Sequence, residues 1–254
     1  SSRKSILALL RETRPAEAEE AVAARLNGRL VDLTAPLEEG ELETVAWGDE
    51  GAKEVYRHSA SHVMAQAVTE LFAGTKLAIG PSIADGFYYD FDLETSLTPD
   101  DLPRIEERMA EIVERDLPMV REEWARRQAI DFFRERGQDY KVELIEDLVA
   151  ADPELETVSL YTNGPFTDLC RGPHADGTKR IGAFKLQSVA GAYWRGNSDN
   201  TMLTRVYGTA FFKKKALDAH MELLEQARAR DHRKLGKELD LFMFTETAVR
   251  ASAD

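Results

Sequence analysis

The sequence predicts an α+β protein, with a small α/β unit leading into a larger α+β unit and then a single amphipathic helix. Three observations carry that expectation. Segments of helical spacing and segments of alternating pattern occur in both halves of the chain. Gly48-Asp49-Glu50-Gly51 reads as a hinge between the two units. Leu217, Met221, Leu224 and Ala227 form one apolar stripe on a segment from Lys213 to about Arg230. At 254 residues, with 43% hydrophobic and 31% charged residues, the chain has room for two domains and a connecting element.

In order, residues 5–12 and 15–26 show helical recurrence at Ile6, Leu7 and Leu10, then at Ala18, Val22 and Leu26. Asn27-Gly28 is a strong turn pair, followed by a strand from Arg29 to Leu33. Pro36 precedes a turn at Glu38-Glu39-Gly40, and Glu41 to Trp47 alternates as a strand. In the larger unit, Glu54 to Phe72 is helical, with Val55, His58, His62 and Ala65 on one side. Leu77–Ile79, Gly86–Phe91 and Val142–Leu144 read as strands. Thr98-Pro99-Asp100-Asp101 caps a helix running to Glu114, and another helix runs from Arg126 to Arg136 and stops at Gly137. Ser159–Tyr161, Arg180–Gln187, Gly191–Arg195 and Leu203–Thr209 are expected sheet strands.

No apolar run approaches the roughly 18 residues needed to cross a bilayer, so no membrane partner is expected. The start of the chain, Ser1 to Glu12, lacks a small-residue cleavage site and reads as a helix and not as a signal peptide. Cys170 is the only cysteine, which excludes an internal disulfide and suits a reducing, cytoplasmic compartment. A net charge of −13 argues against a nucleic-acid partner until its distribution is considered. Between Lys179 and Lys237, 13 Lys and Arg stand against 5 Asp and Glu, so a basic C-terminal third follows an acidic body. A solvated helix face would give the same count.

The chemistry concentrates in two short motifs. His58 and His62 are four apart in a helical segment, so both rings leave the same face about one turn apart. Cys170 and His174 are also four apart, in Asp168-Leu169-Cys170-Arg171-Gly172-Pro173-His174, where the Gly-Pro pair favours a loop. Imidazole and thiolate are the usual zinc ligands. Alone, a helical histidine pair is often incidental and a lone cysteine is often a small buried hydrophobe. Together they point to a shared site. Zinc-protease chemistry is excluded because the residue after the first histidine is Ser59 and not glutamate. Four protein ligands would also close a zinc site to catalytic water. Either one ligand is displaced, or the cluster works without metal and orients water directly. The metal-free arrangement is favoured, with no cofactor required and zinc as the alternative.

Several ordered strings carry a resemblance. RHSASHVMAQAV at 57–68, KLAIGPSIADGFYYDFD at 76–92, YKVEL at 140–144, DLCRGPH at 168–174, AGAYWRGNSDNTMLTRVYGTAF at 190–211 and RDHRKLGKELDLF at 230–242 resemble the N-terminal region of bacterial threonyl-tRNA synthetases across nearly the whole chain. The HxxxH and CxxxH pairing is also similar to that of alanyl-tRNA editing domains. The resemblance implies a ubiquitin-like TGS-type domain at 1–48, truncated because the chain starts too late for its opening hairpin. It implies an editing domain at 49–212 with a cleft between sheet and helix, and a linker helix and tail at 213–254. After Phe244 the sequence departs from the family, and no class II active-site motif follows. No ATP-dependent synthetic activity is expected, and the class II core is a missing partner.

The family's editing pocket carries over to His58, His62, Cys170 and His174, with Lys141, Tyr89 and Asp168 as support; Tyr89 could instead simply pack beneath the pocket. The implied reaction is hydrolysis of serine from mischarged Ser-tRNA(Thr), sparing Thr-tRNA(Thr). Lys141 would serve oxyanion or ribose contacts and Asp168 the substrate ammonium. Tyr193 and Trp194 could stack on a base of the acceptor strand or pack in the core. The rival readings are a metal-dependent hydrolase of a small molecule and a non-catalytic tRNA-binding module.

If the basic third supplies the phosphate contacts, tRNA affinity falls steeply as salt rises. Reversing the charges of Lys213, Lys214 and Lys215 together weakens it further. Filter binding across a salt series checks this, and unchanged affinity in the triple variant would refute the charge-asymmetry argument.

Overall fold

Local sequence sets the first elements of the structure, a computed structural model that describes residues 4–230. The chain divides into two units, Ser1–Lys213 and Lys214–Asp254. Ser5 caps α1 (Ile6–Thr13) by accepting from Ala8 N at 3.2 Å. Pro15 opens α2 (Pro15–Glu20) at a position where its missing N–H costs nothing. The expected helix then ends early. Ala21–Leu26 forms β1, the centre of a three-stranded antiparallel sheet ordered β2-β1-β3, with β2 (Arg29–Val31) and β3 (Leu42–Ala46) on either side. A central strand buried on both faces loses its alternation, so its Ala-Val-Ala-Ala run imitates a helical stripe.

Gly51, at φ +84°, starts α3 (Ala52–Leu71). Nearly every side chain from Val55 to Val68 is buried, because α3 packs against sheet strands, against a second helix and against β1. The sheet beneath it runs β10-β11-β6-β4, built from β4 (Lys76–Leu77), β6 (Gly86–Asp92), β10 (Ala183–Tyr193) and β11 (Met202–Phe211), with β5 (Ser82–Ile83) also paired to β6. Along β6, Phe87, Tyr89 and Phe91 share one face, as a period of two requires. Asp101 Oδ2 accepts from Thr98 N at 2.8 Å ahead of α4 (Leu102–Glu114), whose Leu102, Ile105, Met109 and Ile112 are buried at helical spacing.

A third sheet, β7-β8-β9, comprises β7 (Val120–Ala125), β8 (Thr157–Asn163) and β9 (Phe166–Leu169). Two helices pack together beside it, α5 (Arg126–Glu135) and α6 (Asp139–Ala151). Gly137, at φ +65°, ends α5 as the sequence predicts. The strand expected at Val142–Leu144 is instead the middle of α6. The Gln138 side chain accepts from Leu77 N at 2.7 Å and donates to Thr75 O at 2.9 Å, tying the start of α6 to β4. The two strands expected between Arg180 and Arg195 are one, β10, with an irregularity between Leu186 and Ser188.

α7 (Lys214–Ala229) forms where the amphipathic stripe places it. The tail, including most of the 230–242 string, lies outside the described residues. No helix among the described residues is long and apolar enough to cross a membrane.

Ile105 is fully buried in the core under α3, whereas Glu107 faces solvent. Ile105→Ala should therefore cost about 2–5 kcal/mol in urea unfolding, and Glu107→Ala about 0.5 kcal/mol or less. Equal effects would contradict this placement of α4.

Candidate active site

Burial makes the charge at Asp168 the first problem the site must solve. Phe166 and Asp168 occupy the inward face of β9, and Asp168 is 1% exposed. A carboxylate there needs partners. Lys141, in the first turn of α6, places Nζ 2.6 Å from Oδ1. Tyr89, from β6, donates its hydroxyl to Oδ2 at 2.6 Å, and Lys141 donates to that same hydroxyl oxygen at 3.0 Å. Burial alone would raise the Asp168 carboxyl, but Lys141, with His62 and Tyr89, outweighs it and the pKa is lowered. Gly80 makes room for Tyr89: a Cβ there would come 2.0 Å from the ring.

His62 Nε2 lies 3.7 Å from Asp168 Oδ2 and joins this trio to a second cluster. His58 and His62 project from α3 with ring centroids 5.3 Å apart. The loop after β9 brings His174 against both, at 4.2 Å from each ring. Cys170 Sγ lies 3.4 Å from His58 Nε2 and 3.1 Å from His174 Nε2. All seven residues singled out in the sequence thus meet in one connected group, drawn from two helices, two strands and a loop. His62, Tyr89, Lys141, Asp168 and His174 are buried, while His58 and Cys170 are half-buried and form its accessible side.

The protonation states follow from burial. It pushes His58 down to about 4 and His62 to about 3, and holds His174 well below the ordinary imidazole range. It pushes the Cys170 thiol up to about 12. At neutral pH the cluster is three neutral imidazoles and a protonated thiol, which is not an activated thiolate nucleophile. Ser59 sets the tautomer. Its hydroxyl donates to Val55 O at 2.8 Å and accepts from Ala175 N at 2.9 Å. With its one hydrogen so committed, His174 Nδ1 donates to Ser59 Oγ across 3.2 Å. His174 Nε2 is then the acceptor facing Cys170.

The same four donor groups suit a metal. Their ligand atoms lie within 4.8 Å of one another, and a tetrahedral zinc with bonds of about 2.0–2.3 Å holds its ligand atoms roughly 3.5 Å apart. His58, His62, Cys170 and His174 would hold it, and all four positions would then be filled by protein.

Sequence reasoning missed Ser59 as a partner of His174. It also missed Asp32 and Tyr161, which lie beneath the Cys170 loop and carried no local signal. Of the two proposed stacking aromatics, Tyr193 is exposed, but Trp194 is core: it is 6% exposed, donates Nε1 to Glu143 Oε2 at 3.1 Å and packs on Tyr140. Much of the expected basic surface is also neutralised. Arg180 pairs with Asp176, Lys185 with Glu106, Arg195 with Glu143 and Asp147, and Arg205 with Asp90.

The profile of the threonyl and alanyl tRNA synthetase second additional domain matches residues 158–207, which include Asp168, Cys170 and His174. The chain is 54% identical over 235 residues to threonine--tRNA ligase of Symbiobacterium thermophilum, covering 92% of this chain and 36% of that protein. It is 54% identical over 236 residues to threonine--tRNA ligase of Rubrobacter xylanophilus, covering 92% and 36%. It is 52% identical over 229 residues to that of Geobacillus kaustophilus, covering 90% and 34%. The chain therefore spans about a third of the length of the curated relatives it matches. Over nine-tenths of its own length its homologues are threonine--tRNA ligases, as the motif strings imply.

Ser59→Ala strips the Ala175 N–H and His174 Nδ1 of their shared partner. The expected cost is about 1–3 kcal/mol in urea unfolding, with a changed tautomer signature for His174 in nitrogen-15 NMR. A variant with unaltered stability and imidazole shifts would contradict the hydrogen-bond assignment.

Proposed function

We propose, from the premise that this chain is homologous to threonine--tRNA ligases, that it hydrolyses the seryl ester of mischarged Ser-tRNA(Thr) and spares Thr-tRNA(Thr). The observation that supports this reading is the convergence of His58, His62, Cys170 and His174 beside the Lys141–Asp168–Tyr89 trio.

The ester that joins an amino acid to a tRNA ribose is activated, so a positioned water and stabilisation of the oxyanion suffice for its hydrolysis. The neutral imidazoles can accept a hydrogen bond from the attacking water and orient it, and His58, on the accessible side, is the first of them that a substrate meets. The protonated Cys170 thiol acts as a positioning hydrogen-bond donor and not as a nucleophile. Lys141 supplies the cation for the oxyanion or the ribose hydroxyl. Asp168 would hold the substrate ammonium beside the Lys141 charge. Because Lys141 and Asp168 are paired and buried, substrate must enter between them and the half-buried pair His58 and Cys170. If zinc were bound, it would supply Lewis-acid polarisation or an activated water only where one of the four protein donors gave way. Because four protein donors would leave no position for catalytic water, the hydrolytic reading favours the metal-free arrangement.

The test is release of amino acid from Ser-tRNA and Thr-tRNA by the purified chain. Ser-tRNA should be hydrolysed much faster. His62→Ala should lower the rate by about 10²–10⁴-fold. Lys141→Ala should do the same while also destabilising the fold, since it leaves Asp168 unpaired. Cys170→Ser should retain partial activity, and chelation should leave the rate unchanged. Equal rates on both esters would refute the editing reading. Loss of activity on chelation, together with failure to act on aminoacyl-tRNA, would favour the metal-dependent hydrolase. Intact tRNA binding with no hydrolysis would favour the binding module.

A further inference from the structure

Asp32 belongs to the small N-terminal sheet region, just beyond β2, yet it is only 7% exposed and its carboxylate serves the far side of the Cys170 loop. Oδ1 accepts from His174 N at 2.8 Å. Both carboxylate oxygens lie within reach of the Tyr161 hydroxyl, at 2.8 and 2.9 Å. Tyr161, from β8, also packs edge-on against the His174 ring with centroids 4.4 Å apart. Gly172 lies over the same hydroxyl so closely that a Cβ would come 1.8 Å from it. Asp32 lines a groove of about 700 Å³ between 30–36 and 171–173, with Arg121 also on its wall.

The loop carrying Cys170 and His174 therefore has two faces. One presents the thiol and imidazole to His58 and His62. The other is bonded through the His174 backbone N–H to a carboxylate 142 residues away in sequence, whose second partner is the hydroxyl of Tyr161 on β8. Two donors converge on Asp32, the His174 N–H and the single hydroxyl proton of Tyr161 shared between both carboxylate oxygens. Nothing else among the hydrogen bonds of the described residues ties His174 N to the fold.

We infer that Asp32 is a positioning residue for the hydrolytic site: it holds the Cys170–His174 loop in register with His58 and His62, so the small N-terminal unit completes the site. This rests on the hydrolytic reading for its effect on rate, but not for its effect on the loop. Asp32 touches no reacting atom. Its role is to keep the loop within the tolerance that a near-attack geometry demands, where an error of about 1 Å can cost a hundredfold in rate.

Two readouts on the full chain test this. Asp32→Ala should lower kcat for Ser-tRNA hydrolysis by about ten- to a hundredfold, with KM nearly unchanged, because a positioning residue acts on the geometry of the bound complex and not on substrate capture. Cys170 is the only cysteine, so its alkylation by iodoacetamide reports directly on the loop. Asp32→Ala should speed that alkylation about tenfold or more, the population shift expected from losing a hydrogen bond to a charged group. Asp32→Asn keeps an acceptor for His174 N and should restore most of both readouts. Should Asp32→Ala fail to fold, Tyr161→Phe removes one hydroxyl alone and should still speed alkylation. A folded Asp32→Ala, or Tyr161→Phe in its place, with wild-type kcat and wild-type alkylation overturns the inference. If the wild-type chain releases no serine, the hydrolytic reading fails, while the alkylation series still decides whether Asp32 anchors the loop.

Discussion

A buried carboxylate organises this site. Asp168 sits inside the protein at a position where an unpaired charge would be untenable, and its partners come from elements far apart in the chain. Lys141 arrives on α6, Tyr89 on β6 and His62 on α3. Each of those elements is fixed for independent reasons: α3 by burial on nearly every side, β6 by pairing with β11, and α6 by the Gln138 bonds to the Thr75–Leu77 backbone. The ion pair is weak evidence for stability, since its desolvation costs about as much as its attraction returns. Its consequence is specificity of arrangement. The placement of α6, β6 and β9 that pairs the carboxylate also puts Lys141 and Asp168 beside the histidines.

The same desolvation sets the protonation states. Water exclusion disfavours imidazolium and thiolate alike, so His58, His62 and His174 are held neutral and Cys170 is held protonated. Burial outweighs the lowering effect of the Lys141 charge, so Cys170 is not a thiolate nucleophile at neutral pH. The cluster therefore offers neutral hydrogen-bond acceptors that can orient a water and one fixed cation, Lys141. That combination suits attack by water on an already activated ester better than cleavage of an amide, which also requires strong protonation of its leaving group.

Where the sequence reading succeeded, the signal was local. The HxxxH pair is on one helix face because helical spacing demands it. Gly137 stops α5 because only glycine adopts that backbone at no cost. It failed where tertiary context overrode pattern. Ala21–Leu26 has no alternation because both of its faces are covered. Val142–Leu144 looks like a strand because Tyr140, Val142 and Leu144 alternate with Lys141 and Glu143, although Gly137 and Gln138 precede a helix. β7 went unseen because five of its six side chains are exposed. Asp32 and Tyr161 could not be found at all. Their meaning arises from a hydrogen bond spanning 129 residues, and no local rule reads such a pairing.

The proposed choice between serine and threonine sets a final physical requirement. One methyl group is worth only about 1–3 kcal/mol when a pocket attracts it, so a site that accepts the smaller ester must exclude the larger by shape. Exclusion works only if the wall cannot yield, since a wall that relaxes by a few tenths of an ångström admits the methyl. Here the candidate wall is built from side chains whose freedom is already spent. His174 is fixed at Nδ1 by Ser59 and at its backbone by Asp32. Tyr89 is held by Asp168 and by the space that Gly80 leaves. His62 lies between His58, His174 and Phe166. In the proposed site, the contacts that orient the water and those that would reject the methyl are made by the same immobilised residues, so rate and selectivity draw on one rigid construction.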